Sequence, residues 1–165
     1  MKPYFFILYF VLPISIGCFA QQKTQVFEIT KKEGVDKEMY IFYKDVNDGK
    51  YQGIPEFENQ TPVDLSAVIT SFPFIKEISK IEGEIFTAED LKNSGRVLAI
   101  YGIHIPTGKI VTVSFSIKNR DIDVSKLELY NKRIKEELKF DITLNVKLIK
   151  EGYIRKTFPV LISPQ

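Results

Sequence analysis

The 165-residue chain contains one cysteine, one histidine and no tryptophan. The cysteine, Cys18, lies in an apolar N-terminal run, so a chain trimmed beyond it has neither thiol nor disulfide and relies on its core. The lone histidine, His104, has no second His with which to hold zinc, and no cofactor or metal ion is predicted. An excess of one charge is also lacking. Lys and Arg number 23 and Asp and Glu 21, a formal net charge of +2. With no basic tract, there is no electrostatic footprint for nucleic acid or for an anionic membrane. Glycine-rich phosphate loops and a Gly-x-Ser-x-Gly elbow are missing, so nothing in the sequence marks phosphoryl transfer or serine-hydrolase chemistry. Beyond the first residues, no apolar run approaches the roughly 20 residues a spanning helix needs.

What stands at the start is that apolar run. Lys2 precedes an uncharged stretch from Tyr4 to Gly17, and Cys18-Phe19-Ala20 puts small residues three places and one place before Gln21. This predicts an export signal cut between Ala20 and Gln21. Pro13 and the shortness of the run argue against a retained membrane helix. Ser15-Ile16-Gly17-Cys18 offers a second route: it resembles a bacterial lipoprotein signal, in which Cys18 becomes the lipidated first residue. Only by that route is membrane attachment expected. The phrase "CFAQQ" is similar to signal-peptide ends of Bacteroidota. The expectation is an exported chain, periplasmic or extracellular, or else lipid-anchored to the envelope. Residues 1–20 are read as signal peptide, 21–60 as an N-terminal hairpin and loop, and 61–165 as the α+β part of the same single domain.

Thr24–Lys32 and Glu38–Asp45 are β-branched and aromatic runs separated by turn formers, which predicts a hairpin. "DVNDGKYQGIPEFENQ" follows as a surface loop. Thr61-Pro62-Val63-Asp64 has the residues of a helix start, with Leu65, Val68, Ile69 and Phe72 as the inner face before Pro73. "FIKEISKIEGEIF" reads as helix passing into coil or a short strand. Thr87 with "AEDLK" reads as a short helix ended by Asn93-Ser94-Gly95.

Val97 to His104 is largely apolar on both faces, as a central strand is. "PTGK" then turns the chain, with Gly108 free to take a left-handed conformation. Val111, Val113, Phe115 and Ile117 alternate with Thr112, Ser114 and Ser116, as in a half-buried strand. Val124–Lys139 is the clearest helix, with Leu127, Tyr130, Ile134 and Leu138 on one stripe. Ile142, Leu144, Val146 and Leu148 predict a further strand. Tyr153–Ile162 predicts the last, which Pro159 confines to an edge or ends. The fold class is α+β: an antiparallel sheet packed by one main helix (strand, strand, helix, strand, strand), preceded by a β-hairpin and short helices.

Residues able to carry chemistry are few. His104, on a strand among apolar neighbours, is either scaffold or, with an acid brought beside it by the fold, the mark of a pocket. It is the one pocket candidate. Asp45-Val46-Asn47-Asp48-Gly49 has the look of a calcium loop, but Gly49 falls one place early and Pro55 precedes Glu56, so a turn is expected. Glu82/Glu84, Glu89/Asp90 and Asp121/Asp123 are sequence neighbours rather than acids facing across a cleft, and the last two pairs read as helix-start charges. Asn59-Gln60-Thr61 fits a glycosylation acceptor, but Pro62 follows it. No catalytic residue is assigned.

"GRVLAIYGIHIPTGKIVTVSFSI", then "DVSKLELYNKRIKEEL" and a closing "TFPVLI", resemble the carboxyl-terminal domain of TonB-like proteins over about residues 95–162. The resemblance implies an α+β domain whose sheet edge accepts a peptide strand from an envelope or outer-membrane protein, and it implies no catalytic residue. The chain departs from that family in having no long Pro-rich spacer, and the hairpin Thr24–Asp45 and the strand Ile142–Leu148 lie outside the likeness. The expected function is therefore an exported envelope binding or protein-interaction module. A small-ligand binder or hydrolase with a pocket between helix and sheet, and a surface-assembly subunit built through strand pairing, are the alternatives.

Overall fold

The computed structural model describes residues 22–58, 68–71, 75–93, 96–118, 122–144 and 146–160. The signal run with Cys18, Ala20 and Gln21, the helix start at Thr61–Asp64, the Asn59–Thr61 acceptor pattern, the helix stop at Ser94-Gly95 and Asp121 lie outside the described residues.

The main sheet is antiparallel, in the order β1-β2-β3-β7-β6-β10. Its full-length strands are β2 (Phe27–Glu33), β3 (Met39–Asp45), β6 (Val97–His104), β7 (Ile110–Lys118) and β10 (Tyr153–Pro159), with the two-residue β1 (Gln22–Lys23) beside β2. The predicted hairpin forms β2 and β3 and joins the sheet through pairing of β3 with β7. β6 lies between β7 and β10, where an apolar strand belongs. Among the described residues, the α-helices α1 (Ile75–Ile85), α2 (Ala88–Asn93) and α3 (Val124–Glu137) complete the α+β architecture. No helix among the described residues is long and apolar enough to cross a membrane.

The core is one layer between the sheet and the helices. α3 presents Leu127, Tyr130 and Ile134, all fully buried, at the helical spacing that puts them on one stripe. The sheet answers with Phe27, Ile41, Tyr43, Val97, Ala99, Tyr101, Ile103, Val113, Phe115 and Ile117. Tyr130 sits at the centre, its ring 5.7 Å from Phe115 and 5.5 Å from Phe86. Asp123 caps α3 by accepting from Ser125 N at 2.9 Å. In the β6–β7 turn Gly108 has φ +65, and an added Cβ would lie 1.7 Å from the Phe140 carbonyl oxygen. Both facts require glycine there.

The structure departs from the sequence reading at three elements. Val68–Ser71, expected in the helix begun at Thr61, is strand β5. The β-branched run Val68-Ile69-Thr70 favours an extended chain, and β5 pairs in register with Asp141–Leu144. The single strand expected from Ile142 to Leu148 is broken into β8 (Asp141–Leu144) and β9 (Leu148–Lys150). β8 pairs with β5, and β9 pairs with β4 (Glu56–Phe57) inside the segment read as loop; neither joins the main sheet. Finally, Val111 does not share the buried face of Val113 and Phe115. The register shifts between Gly102 and Ile103, so Ile110 takes the inner position and Val111 becomes the extra residue. Thr112 is buried against Gly102, where a Cβ would meet its Oγ1 at 2.2 Å.

Candidate functional site

Alternation along the strands sorts the sheet's outer face from its core face. Tyr40, Phe42 and Lys44 of β3, Ser114 and Ser116 of β7, Leu98 and Ile100 of β6, and Tyr153, Arg155 and Thr157 of β10 share the outer face through the observed registers. From the end of β3, the segment Val46–Pro55 leads across to β10 as a strap. It is pinned there by Asp48, whose Oδ2 accepts from Arg155 Nη2 at 2.7 Å. It is pinned again by Gly53, whose carbonyl accepts from Tyr153 N at 2.9 Å. Gly152 makes the close approach possible, because a Cβ there would lie 2.3 Å from Pro55 N.

Two cavities flank the strap. One of about 450 Å³ lies between it and β10, lined by Tyr51, Gln52, Ile54, Pro55, Tyr153 and Arg155. The other, about 240 Å³, opens on the outer face over Phe42, Lys44, Asp48, Ile100, Ser114 and Arg155. Arg155 lines both. Its side chain is 53% exposed despite the ion pair with Asp48, so its guanidinium still meets solvent. Tyr51 leans on Tyr153 with ring centroids 5.2 Å apart, giving the larger cavity an aromatic wall.

The same cavity adjoins β10, beyond which the main sheet has no further strand among the described residues. Ile105 N donates to Gly152 O, and Val160 N donates to Val97 O. The even residues of β10 therefore turn their backbone groups toward β6, and Tyr153, Arg155, Thr157 and Pro159 turn theirs outward. Tyr153 N is taken by Gly53, and Pro159 has no N–H to offer. The N–H and C=O groups of Arg155 and Thr157 have no backbone partner among the described residues. Both residues are exposed.

His104 stands beside this site rather than in it. Its Nδ1 lies 3.0 Å from Thr107 Oγ1, its Nε2 is 3.6 Å from Glu151, and its ring is 5.1 Å from Tyr153. Glu151 is 74% exposed, so no buried acid faces the imidazole there. The residue singled out by the sequence thus buttresses Tyr153, and neither cavity's described lining includes it. Nothing in the sequence marks Tyr51, Tyr153 and Arg155, since a tyrosine in a loop and an arginine on a strand become distinctive only when the strap brings them together.

Several of the acids that stand out in the sequence have structural partners. Asp45, with its side chain fully buried, accepts from Asn47 N, Asn131 Nδ2 and Lys135 Nζ at 2.9, 2.9 and 3.0 Å, and from Val113 N at 3.3 Å. Burial alone would raise its pKa, but the bonds from Asn131, Asn47 and Lys135 outweigh that and hold the carboxyl below its ordinary value. Asp48 is spent on Arg155, so the calcium-like stretch works as a strap anchored through its carboxylates. Asp90 accepts from Thr87 and Lys126, and Glu84 pairs with Arg133. Glu82 on α1 is buried, and the Tyr130 hydroxyl donates to it at 3.2 Å. That hydroxyl also lies 2.5 Å from the Tyr101 hydroxyl, and burial raises both tyrosine pKa values. This chain ties α1, α3 and β6 together across the core.

No protein-family model matches the chain, and no curated protein does. Among solved structures it is similar to a DUF5043 family protein from Bacteroides uniformis ATCC 8492, with a TM-score of 0.60 and 13% identity. The match covers 86% of this chain and 84% of that one. At such identity the likeness concerns the fold: helices packed on an antiparallel sheet.

Proposed function

We propose that this chain is an exported envelope binding module that takes up an extended peptide segment of another envelope or outer-membrane protein as an added strand along β10. The observation that supports it is the outward pair of N–H and C=O groups on Arg155 and Thr157, on an edge strand that borders an aromatic-walled cleft. Backbone hydrogen bonds along such an edge supply affinity, and side chains alternately entering a cleft supply selectivity. The apolar N-terminal run supports export, and the TonB-like wording of residues 95–162 supports the edge mode.

The test compares the chain with a Thr157→Pro variant, which removes an outward donor without touching the ladder to β6. Envelope proteins cross-linked to each form are identified by mass spectrometry, and amide exchange of β10 is followed with the partner bound. The expected result is a partner lost in the variant that protects the amides of Arg155 and Thr157 in the wild type. A partner held equally by both forms, without protection of β10, overturns the reading. The 450 Å³ cavity favours a second reading, a small ligand in the cleft alone, since that volume lies within the range of ligand pockets. A ligand indifferent to Thr157→Pro but lost on Tyr51→Ala is its signature.

A further inference from the structure

Resting on the edge-pairing reading, we infer that β10 selects an acidic peptide strand of definite pattern: a small or polar residue, then Asp or Glu, then an aromatic residue, running antiparallel to β10. Direction follows from the sheet, in which every pairing is antiparallel, the more stable ladder. The strap sets the end of the added strand. Gly53 already occupies the outward position beside Tyr153, so a partner can pair opposite Thr157, Lys156 and Arg155 and must stop there.

Charge sets the middle residue. β10 carries Arg155 and Lys156 and no acid. Arg155 is offset by Asp48, whereas Lys156 has no ion pair among the described residues. Lys156 faces the helix side of the sheet. The partner residue opposite it forms the non-hydrogen-bonded pair, whose side chains lie closest, and a carboxylate there meets the ammonium directly. The residue opposite Arg155 sends its side chain to the outer face, beside Tyr51, Ile54 and Tyr153 and in reach of the guanidinium. An aromatic ring suits both surfaces.

The same charges, together with Pro159, count against a second copy as the occupant: with Thr157 opposite itself, Arg155 would lie opposite Pro159, which has no N–H, and a rung would be lost. In the antiparallel register that pairs Arg155 with Thr157, Lys156 would face Lys156. In the register centred on Arg155, two guanidinium groups would face each other. Like charges directly opposite are unfavourable in a sheet.

The experiment uses fluorescence anisotropy with three labelled peptides, acetyl-Ser-Ser-Thr-Glu-Tyr-Ser-Ser-amide and its Glu→Gln and Glu→Lys forms, against wild type, Lys156→Glu and Thr157→Pro. Circular dichroism confirms that each variant is folded. The expected result is that wild type binds the Glu peptide about fivefold to tenfold more tightly than the Lys peptide, with the order reversed in Lys156→Glu and all binding lost in Thr157→Pro. Equal affinities that vanish in Thr157→Pro overturn the acidic pattern and leave edge pairing standing. No binding of any of the three peptides likewise overturns the pattern, whereas binding that survives Thr157→Pro overturns edge pairing itself. Concentration-dependent dimers abolished by Thr157→Pro overturn the choice of occupant.

Discussion

Asp45 concentrates the most consequence in one side chain. It fastens the end of β3 to α3 through Asn131 and Lys135 and to β7 through Val113 N. Asp45→Ala strands those donors in a buried site and is expected to cost about 3 kcal/mol in urea unfolding. The pH dependence has a definite sign. The folded carboxyl titrates below its ordinary 3.8, so its stabilisation is present above that value and is lost as pH falls through the lower folded value. The stability gap between wild type and Asp45→Asn should therefore shrink below about pH 4, and a constant gap from pH 7 to pH 3 would refute the assignment. Gly108→Ala tests another single position. Its left-handed φ and the Phe140 carbonyl leave no space for a methyl group, and a loss of about 2 kcal/mol or more is expected, read as a melting temperature lower by roughly 5 °C. Glycine in a Pro-Thr-Gly turn was legible from the sequence, but the carbonyl behind it was not.

Among the elements, α3 behaves as its periodicity says, whereas the short strands do not. Ile134→Ala empties a fully buried site and should cost about 2–5 kcal/mol, while Leu129→Ala on the exposed face should change stability by less than about 0.5 kcal/mol. Equal effects in denaturant titrations would mean that the buried stripe is misassigned. The alternation of Val113, Phe115 and Ile117 was readable because one face is buried and one is not. The bulge at Val111 was not readable, since it depends on Gly102 leaving room for Thr112 on the neighbouring strand. Val68–Ser71 is strand rather than helix for a related reason: helix-start residues upstream compete with a β-branched run, and pairing with β8, about seventy residues along, decides the outcome. Ile142 to Leu148 alternates without a break, and only the partners β5 and β4 divide it.

At the scale of the whole molecule, the central strands should be the most stable part. Amides of β6 and β7 are expected to exchange slowest, near the global unfolding limit, and those of the two-stranded patches β4–β9 and β5–β8 should open locally and exchange faster. Uniform protection by hydrogen exchange would contradict this. The amino-acid sequence by itself determined the α+β class, the main helix and the Gly108 turn, and it limited the last strand to an edge or to an end at Pro159, because local periods and backbone stereochemistry act within a few residues. The tertiary structure decided the rest. It brought the strap from β3 to β10, joined Asp48 to Arg155 and Tyr51 to Tyr153 over roughly a hundred residues, and set His104 against Tyr153 rather than in the lining of either cavity. Such contacts come from strand order, and strand order is set by how all the faces are buried at once rather than by any one segment.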